Sequence, residues 1–126
     1  MPATQPRKLE SQVTHGLRRR VSFTDTATAG VEIGVIPAGS HVRTVSVSVE
    51  TAFTGGTPVV TVGTTAVPAA FATSAGIAPG TAGYKPGLFN TGQGNVTADT
   101  QVLAFVSGGA TAGLVDIYVE FYPHPL

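Results

Sequence analysis

Three adjacent arginines, Arg18, Arg19 and Arg20, are the densest group of charged side chains in the sequence. Guanidinium groups bind carboxylates and phosphates through paired hydrogen bonds, so such a cluster can attach a protein to an acidic partner. Arg7 and Lys8 lie a short distance upstream and carry charge of the same sign. We therefore predict that these five basic residues bind a partner protein or a neighbouring subunit.

The charge of the chain is segregated along its length. Residues 1–20 contain five basic residues and one acidic residue, a net charge of +4. Residues 21–126 contain two basic and six acidic residues, a net charge of −4, so the whole chain is formally neutral. An acidic body repels phosphates, which disfavours direct binding to nucleic acid and favours protein carboxylates as partners. The alternative is an arginine-rich edge strand that is only solvated.

The residue types give little support to catalysis or metal binding. The absence of cysteine excludes disulfides, thiolate ligands and a cysteine nucleophile. His15, His41 and His124 lack the close spacing of a zinc site. No nucleophile elbow or phosphate-binding loop occurs, and a desolvated carboxylate pair, as in a glycosidase, is the one enzymatic alternative left open. We predict a non-enzymatic protein without metal or cofactor.

Composition indicates a single domain whose surface is partly covered by other subunits. Charged residues make up 11% of the 126 residues, against about 25% in a typical soluble domain. A thinly charged surface favours contact with other chains, so we expect a homo-oligomer. No segment has the length and apolar character of a membrane span or a secretory signal, so we expect a soluble product that makes no membrane contact.

Alternation of apolar and polar residues predicts an all-β fold. Residues 42–50 and 114–122 alternate with the period of two that marks a strand with one buried face. Shorter strand-like runs, bounded by Gly, Pro, Asn or Asp, occur at 19–23, 31–36, 58–63 and 101–107. Seven or eight short strands without a convincing helix predict an antiparallel β-sandwich, jelly-roll-like in form.

The predicted domain does not begin at the N-terminus. Residues 1–16 contain two prolines and no sustained apolar period, which predicts an extended N-terminal arm. Residues 17–126 are then the β-sandwich domain. Within it, residues 64–94 fit the pattern least well, since small residues and prolines allow either a long loop or irregular edge strands near Phe71 and Leu88.

Two segments resemble small structural proteins of tailed bacteriophages. They are VIPAGSHVRTVSVSVETAFTGGTPVVTVGT at 35–64 and the closing run VDIYVEFYP. The resemblance implies a β-sandwich or jelly-roll virion component, of which one kind is the capsid decoration (cement) protein. Such a protein binds the outside of the shell, bridges and stabilises major capsid protein subunits, and is assembled in the bacterial host cytoplasm.

We accordingly expect a dimeric or trimeric decoration protein on the capsid surface, held to the major capsid protein by its basic arm. The alternative is a module of the tail or fibre that binds a receptor or a glycan. The resemblance implies no catalytic residue.

Overall fold

A computed structural model of the chain describes residues 15–123, which form two antiparallel β-sheets packed face to face. The strands are β1 (His15–Ser22), β2 (Val31–Ile36), β3 (His41–Thr54), β4 (Val59–Gly63), β5 (Gly83–Leu88), β6 (Gly94–Asn95), β7 (Thr100–Ser107) and β8 (Ala112–Tyr122). One helical turn, α1 (Ser74–Ile77), lies between β4 and β5. The all-β sandwich predicted from the sequence is thus confirmed.

Strand pairing in the two sheets is nested. The large sheet has the order β1-β8-β3-β5, with β6 also pairing with β3, and the small sheet has the order β2-β7-β4. The first strand therefore pairs with the last, the second with the seventh, and the third with the fifth and sixth. This nesting is the strand arrangement of a jelly roll. In a jelly roll the fourth strand has a further partner, and here that pairing consists of a single bridge from Val62 of β4 to Ala72.

The core is built from the alternating valines that the sequence pattern indicated. In β3, Val45, Val47 and Val49 are at most 2% exposed, and in β8 Ile117 and Val119 are fully buried beside them. Facing residues of the small sheet complete the core: Ile36, Val60, Val62, Val102, Ala104 and Val106. Each buried side chain of this size contributes about 1.5–3 kcal/mol relative to its exposed state, so these rows fix the register of both sheets.

The segment between β4 and β5 combines a helical turn with an edge strand. Thr73 begins α1, and its side-chain oxygen accepts a hydrogen bond from the backbone N–H of Gly76. Lys85 of β5 lies opposite Val47, and its ammonium group donates to the carbonyl oxygens of Ile77 and Ala78 at 2.9 Å and to that of Thr81. Partial burial lowers the pKa of Lys85. The carbonyl contacts anchor the end of the helical turn to the large sheet.

The structure resolves the alternatives for this segment. The sequence left open a loop or irregular edge strands near Phe71 and Leu88, and the structure has an edge strand that ends at Leu88 and an isolated bridge at Ala72. Because α1 is only four residues long, it shows too little apolar periodicity to be predicted.

The domain boundary predicted at residue 17 lies close to the first strand. β1 begins at His15 and pairs with β8 along its whole length, from His15 opposite Phe121 to Ser22 opposite Leu114. The described part of the predicted arm therefore already belongs to the sheet. Arg7, Lys8 and His124 lie outside the described residues.

Candidate functional site

The polar residues singled out by the sequence meet on the outer face of the large sheet. Antiparallel pairing places Arg20 opposite Asp116, Asp116 opposite Ser48, and Ser48 opposite Tyr84, so one row crosses all four strands. The next row on the same face contains Arg18, Tyr118 and Ser46. Side chains two residues apart share a face of a strand, so the rows form one continuous polar surface.

The carboxylate of Asp116 is the centre of this surface. Arg20 binds it with two hydrogen bonds, from Nε to Oδ1 at 3.2 Å and from Nη2 to Oδ2 at 3.1 Å. Arg18 donates a third from Nη2 to Oδ1 at 3.3 Å. The Asp116 side chain is only 2% exposed, yet the hydrogen bond from Arg20 holds its pKa below the ordinary value because it stabilises the ionised form. The carboxylate is therefore charged and fully paired.

The two arginines on this face differ in what else they contact. Arg20 also donates from Nη2 to Oε2 of Glu50 at 2.8 Å, so it is shared between two carboxylates. The guanidinium carbon of Arg18 lies 5.6 Å from the centre of the Tyr118 ring, a cation–π contact. Hydrogen bonding to Tyr118 and to Asp116 raises the pKa of Arg18 and of Arg20 respectively. Their side chains remain 59% and 52% exposed.

Arg19 points to the opposite face of β1, as the strand period predicts. Its Nη1 donates to the backbone carbonyl oxygen of Glu32 in β2 at 3.1 Å. This hydrogen bond joins the edge of the large sheet to the small sheet. Leu17, on the same face, packs at Gly34 so closely that a Cβ there would lie 2.8 Å from the leucine side chain.

The structure thus finds carboxylate partners for the arginine cluster within the same chain. These ion pairs could not be predicted from the sequence, because Arg18 and Asp116 are 98 positions apart and meet only when the first strand pairs with the last. Asp116 lies on the polar face of β8, yet it is buried because two guanidinium groups cover it. The hydrogen bonds within the chain do not test attachment to a partner, since both arginines on this face stay more than half exposed.

An open groove lies beside the arginines on the same face. It has a volume of about 620 Å³, and its lining includes Arg18, Ser46, Ser48, Tyr84 and Tyr118. Ser46 is only 4% exposed, whereas Tyr84 is 64% exposed. We call this feature the outer-sheet groove. It is polar at its floor and aromatic at its sides.

Other chemistry considered from the sequence is not assembled in the described part of the chain. His15 packs edge-on against Phe121, and His41 contacts Asn95 and stacks on Tyr122. Within residues 15–123 no three His, Asp or Glu side chains are grouped to hold a metal ion. No helix in this range is long and apolar enough to cross a membrane.

Comparisons with known proteins find the fold but not a sequence family. No protein-family model and no curated protein matches the chain. The chain is similar to one in the cyanophage Pam1 capsid asymmetric unit, with a TM-score of 0.68, 23% identity, and coverage of 98% of this chain and 93% of that chain. It is also similar to one in the capsid of Ralstonia phage GP4, with a TM-score of 0.63, 17% identity, and coverage of 100% and 92%. At these identities the likeness shows a shared fold along nearly the full length of each chain.

Proposed function

We propose that this protein is a structural component of a bacteriophage virion, and more specifically a decoration protein that binds and stabilises the shell of major capsid protein. The observation that carries the proposal is the fold match with chains in two phage capsid structures, Pam1 and GP4. Both matches cover more than nine tenths of the matched chain in the phage structure. The likeness therefore extends over nearly the full length of each matched chain.

The physical character of the domain supports a mechanical role. Its core is a dense double layer of valines, and its charged residues are few. The three arginines of β1 join strands. Arg18 and Arg20 link β1 to Asp116 of β8, and Arg19 links β1 to β2. Such contacts stabilise the edge of the sandwich and assemble no reactive group. A protein without enzymatic activity is consistent with this arrangement.

Attachment is assigned to the basic N-terminal segment. Because Asp116 and Glu50 partly neutralise Arg18 and Arg20, we expect Arg7 and Lys8 to lead contact with carboxylates of the major capsid protein. The exposed parts of Arg18, Arg19 and Arg20 would extend the same contact along the edge of the large sheet. A chain segment that orders on a neighbour can bind a large surface without enlarging the core. A dimer or trimer of the chain would multiply these contacts.

Copy number in purified virions tests the proposal directly. Quantitative mass spectrometry should find hundreds of copies per particle, in a fixed ratio to the major capsid protein. A handful of copies per particle would contradict a shell location and favour the tail or fibre module.

A rebinding assay tests the attachment residues. Particles that lack the protein should bind the full chain on co-sedimentation. Arg7→Gln with Lys8→Gln should weaken that binding at low salt, and the difference from the unaltered chain should shrink as salt rises, because salt screens the charge contacts. Arg43→Gln is the matched control, because Arg43 is an exposed arginine of the body that pairs with Glu120. Equal binding by the double variant and the control would remove the arm from the mechanism.

A further inference from the structure

We propose that the outer-sheet groove binds a short saccharide that carries a carboxylate. This site shares Arg18 with the proposed attachment residues, but it does not depend on the proposed role in the shell. Three features of the groove support it: a floor of hydroxyl groups, an exposed aromatic ring at one side, and a guanidinium group with unused donors at the other.

The floor of the groove is formed by two serines of β3. Both serines face outward: Ser46 lies opposite Tyr118 of β8, and Ser48 lies opposite Tyr84 of β5, so their small size leaves a depression in the sheet. Within residues 15–123 neither hydroxyl makes a side-chain hydrogen bond, although Ser46 is 96% buried by its surroundings. A hydroxyl both donates and accepts, and so matches the hydroxyl groups of a sugar. The floor offers two such groups side by side.

Tyr84 supplies the aromatic side of the groove. It lies on edge strand β5 opposite Ser48, and it is 64% exposed. A tyrosine ring has a flat apolar face and a polar tip, which suits the apolar C–H face and polar rim of a pyranose. Tyr118 also lines the groove, but the Arg18 guanidinium lies over its ring. Tyr84 is therefore the ring available for stacking.

Arg18 supplies the charge selectivity. Arg20 already satisfies Asp116 with two hydrogen bonds, whereas Arg18 makes one long hydrogen bond of 3.3 Å to the same carboxylate. A guanidinium has five N–H donors, so Arg18 retains donors for a second carboxylate. At the same side of the groove Glu120 is neutralised by Arg43 at 2.8 Å, which lowers the repulsion that an anionic ligand would meet.

The size and charge of the groove favour an oligosaccharide over the basic arm of another copy. Three strand spacings separate β1 from β5, a distance of roughly 14 Å, so the groove accommodates more than one sugar ring. A segment carrying Arg7 and Lys8 would be repelled by Arg18, because the carboxylates nearby are already paired. The charges around the groove balance, so it is the free N–H donors of Arg18 that favour a carboxylate over a cationic segment.

Titration of the isotopically labelled full chain with trigalacturonic acid, followed by NMR, tests this site. The amide signals of Ser46, Ser48 and Tyr84 should shift together. Tyr84→Ala and Arg18→Gln should each raise the dissociation constant by about tenfold, the loss expected for one stacking or charged contact. The fully methyl-esterified trisaccharide has the same rings without charge, and its binding should weaken by a similar factor.

Matched variants separate this site from general effects. Tyr122→Ala removes an exposed tyrosine of the same face outside the groove lining and should bind as the unaltered protein does. Arg18→Lys should recover part of the affinity lost in Arg18→Gln, because lysine restores the charge but lacks the planar guanidinium group with its paired N–H donors. Equal affinity for the acid and its ester, or shifts that avoid the groove, would overturn the proposal. Loss of particle binding by Tyr84→Ala would also overturn it, because the groove would then be a contact with the shell.

Discussion

Replacing Asp116 with Asn should destabilise the domain by about 1–3 kcal/mol. The carboxylate accepts three hydrogen bonds from Arg18 and Arg20, at 3.1 to 3.3 Å, with its side chain 2% exposed. Asn has nearly the same shape, but one of its two terminal atoms cannot accept a hydrogen bond, and it carries no charge. The two guanidinium groups would lose their shared anion. The expected loss extends below the usual contribution of hydrogen bonds to charged groups, because both arginines are well exposed to water.

Thermal unfolding followed by circular dichroism measures this loss. For a domain of this size, 1 kcal/mol corresponds to about 4 °C in Tm, so the midpoint should fall by about 4–12 °C at pH 7. Glu120→Gln is the control, since Glu120 lies on the same strand and face and pairs with Arg43 in an exposed position. Its cost should stay below about 1 kcal/mol. An unchanged midpoint for Asp116→Asn, or an equal fall for both variants, would refute the reasoning.

The stability advantage of Asp116 should depend on pH in a defined direction. The hydrogen bond from Arg20 lowers the pKa of this carboxyl in the folded state, so the unfolded chain takes up the proton first as pH falls. The stabilisation is complete above the unfolded pKa, about 3.9, and is lost as pH falls through the lower folded pKa. The difference in unfolding free energy between the unaltered protein and Asp116→Asn should therefore shrink below about pH 5. A difference that grows on acidification would contradict this assignment.

Two further pairs of variants test the core and one turn. Val47→Asp should abolish folding, because it buries an unpaired carboxylate. Thr51→Asp, at an exposed position of the same strand, should fold. The β-sheet circular dichroism signal should therefore be lost in the first variant and kept in the second. Gly108→Ala should destabilise more than Gly109→Ala: both glycines have positive φ, but a Cβ at Gly108 would lie 1.8 Å from the carbonyl oxygen of Thr57, and one at Gly109 meets nothing within 4 Å. Urea unfolding should therefore give a lower midpoint for the first, and equal midpoints would show that the loop moves aside.

Sequence pattern predicted the parts of the fold that depend on local alternation. The runs at 42–50 and 114–122 are strands, because each has a buried face whose apolar residues recur with a period of two. The shorter run at 31–36, predicted between turn residues, is also a strand. The same period of two puts Arg18 and Arg20 on one face of β1 and Arg19 on the other, as their contacts show. These features need no knowledge of which strand is the neighbour.

Features that depend on strand pairing could not be predicted in this way. The burial of Asp116 requires that β8 lie between β1 and β3, which no local pattern specifies. The outer-sheet groove likewise depends on small serines of β3 lying between tyrosines of β5 and β8. An arginine run predicts that carboxylates are nearby, but it does not distinguish those of the same chain from those of a partner.

The nested pairing gives the ion pairs of β1 a specific place in the order of folding. Residues of β1 and β8 that bind one another lie up to 98 positions apart, so loop closure must precede any benefit from their contact. Other pairings, such as β4 with β7, join residues closer in sequence and can form earlier. β8 then pairs with β3, and the hydrogen bonds between Arg20 and Asp116 form when edge strand β1 pairs with β8. If this order holds, Asp116→Asn should mainly raise the unfolding rate and leave the folding rate nearly unchanged, because a contact that forms late is absent from the transition state. Stopped-flow measurements in denaturant would reveal the opposite case as a slower folding limb with an unaltered unfolding limb.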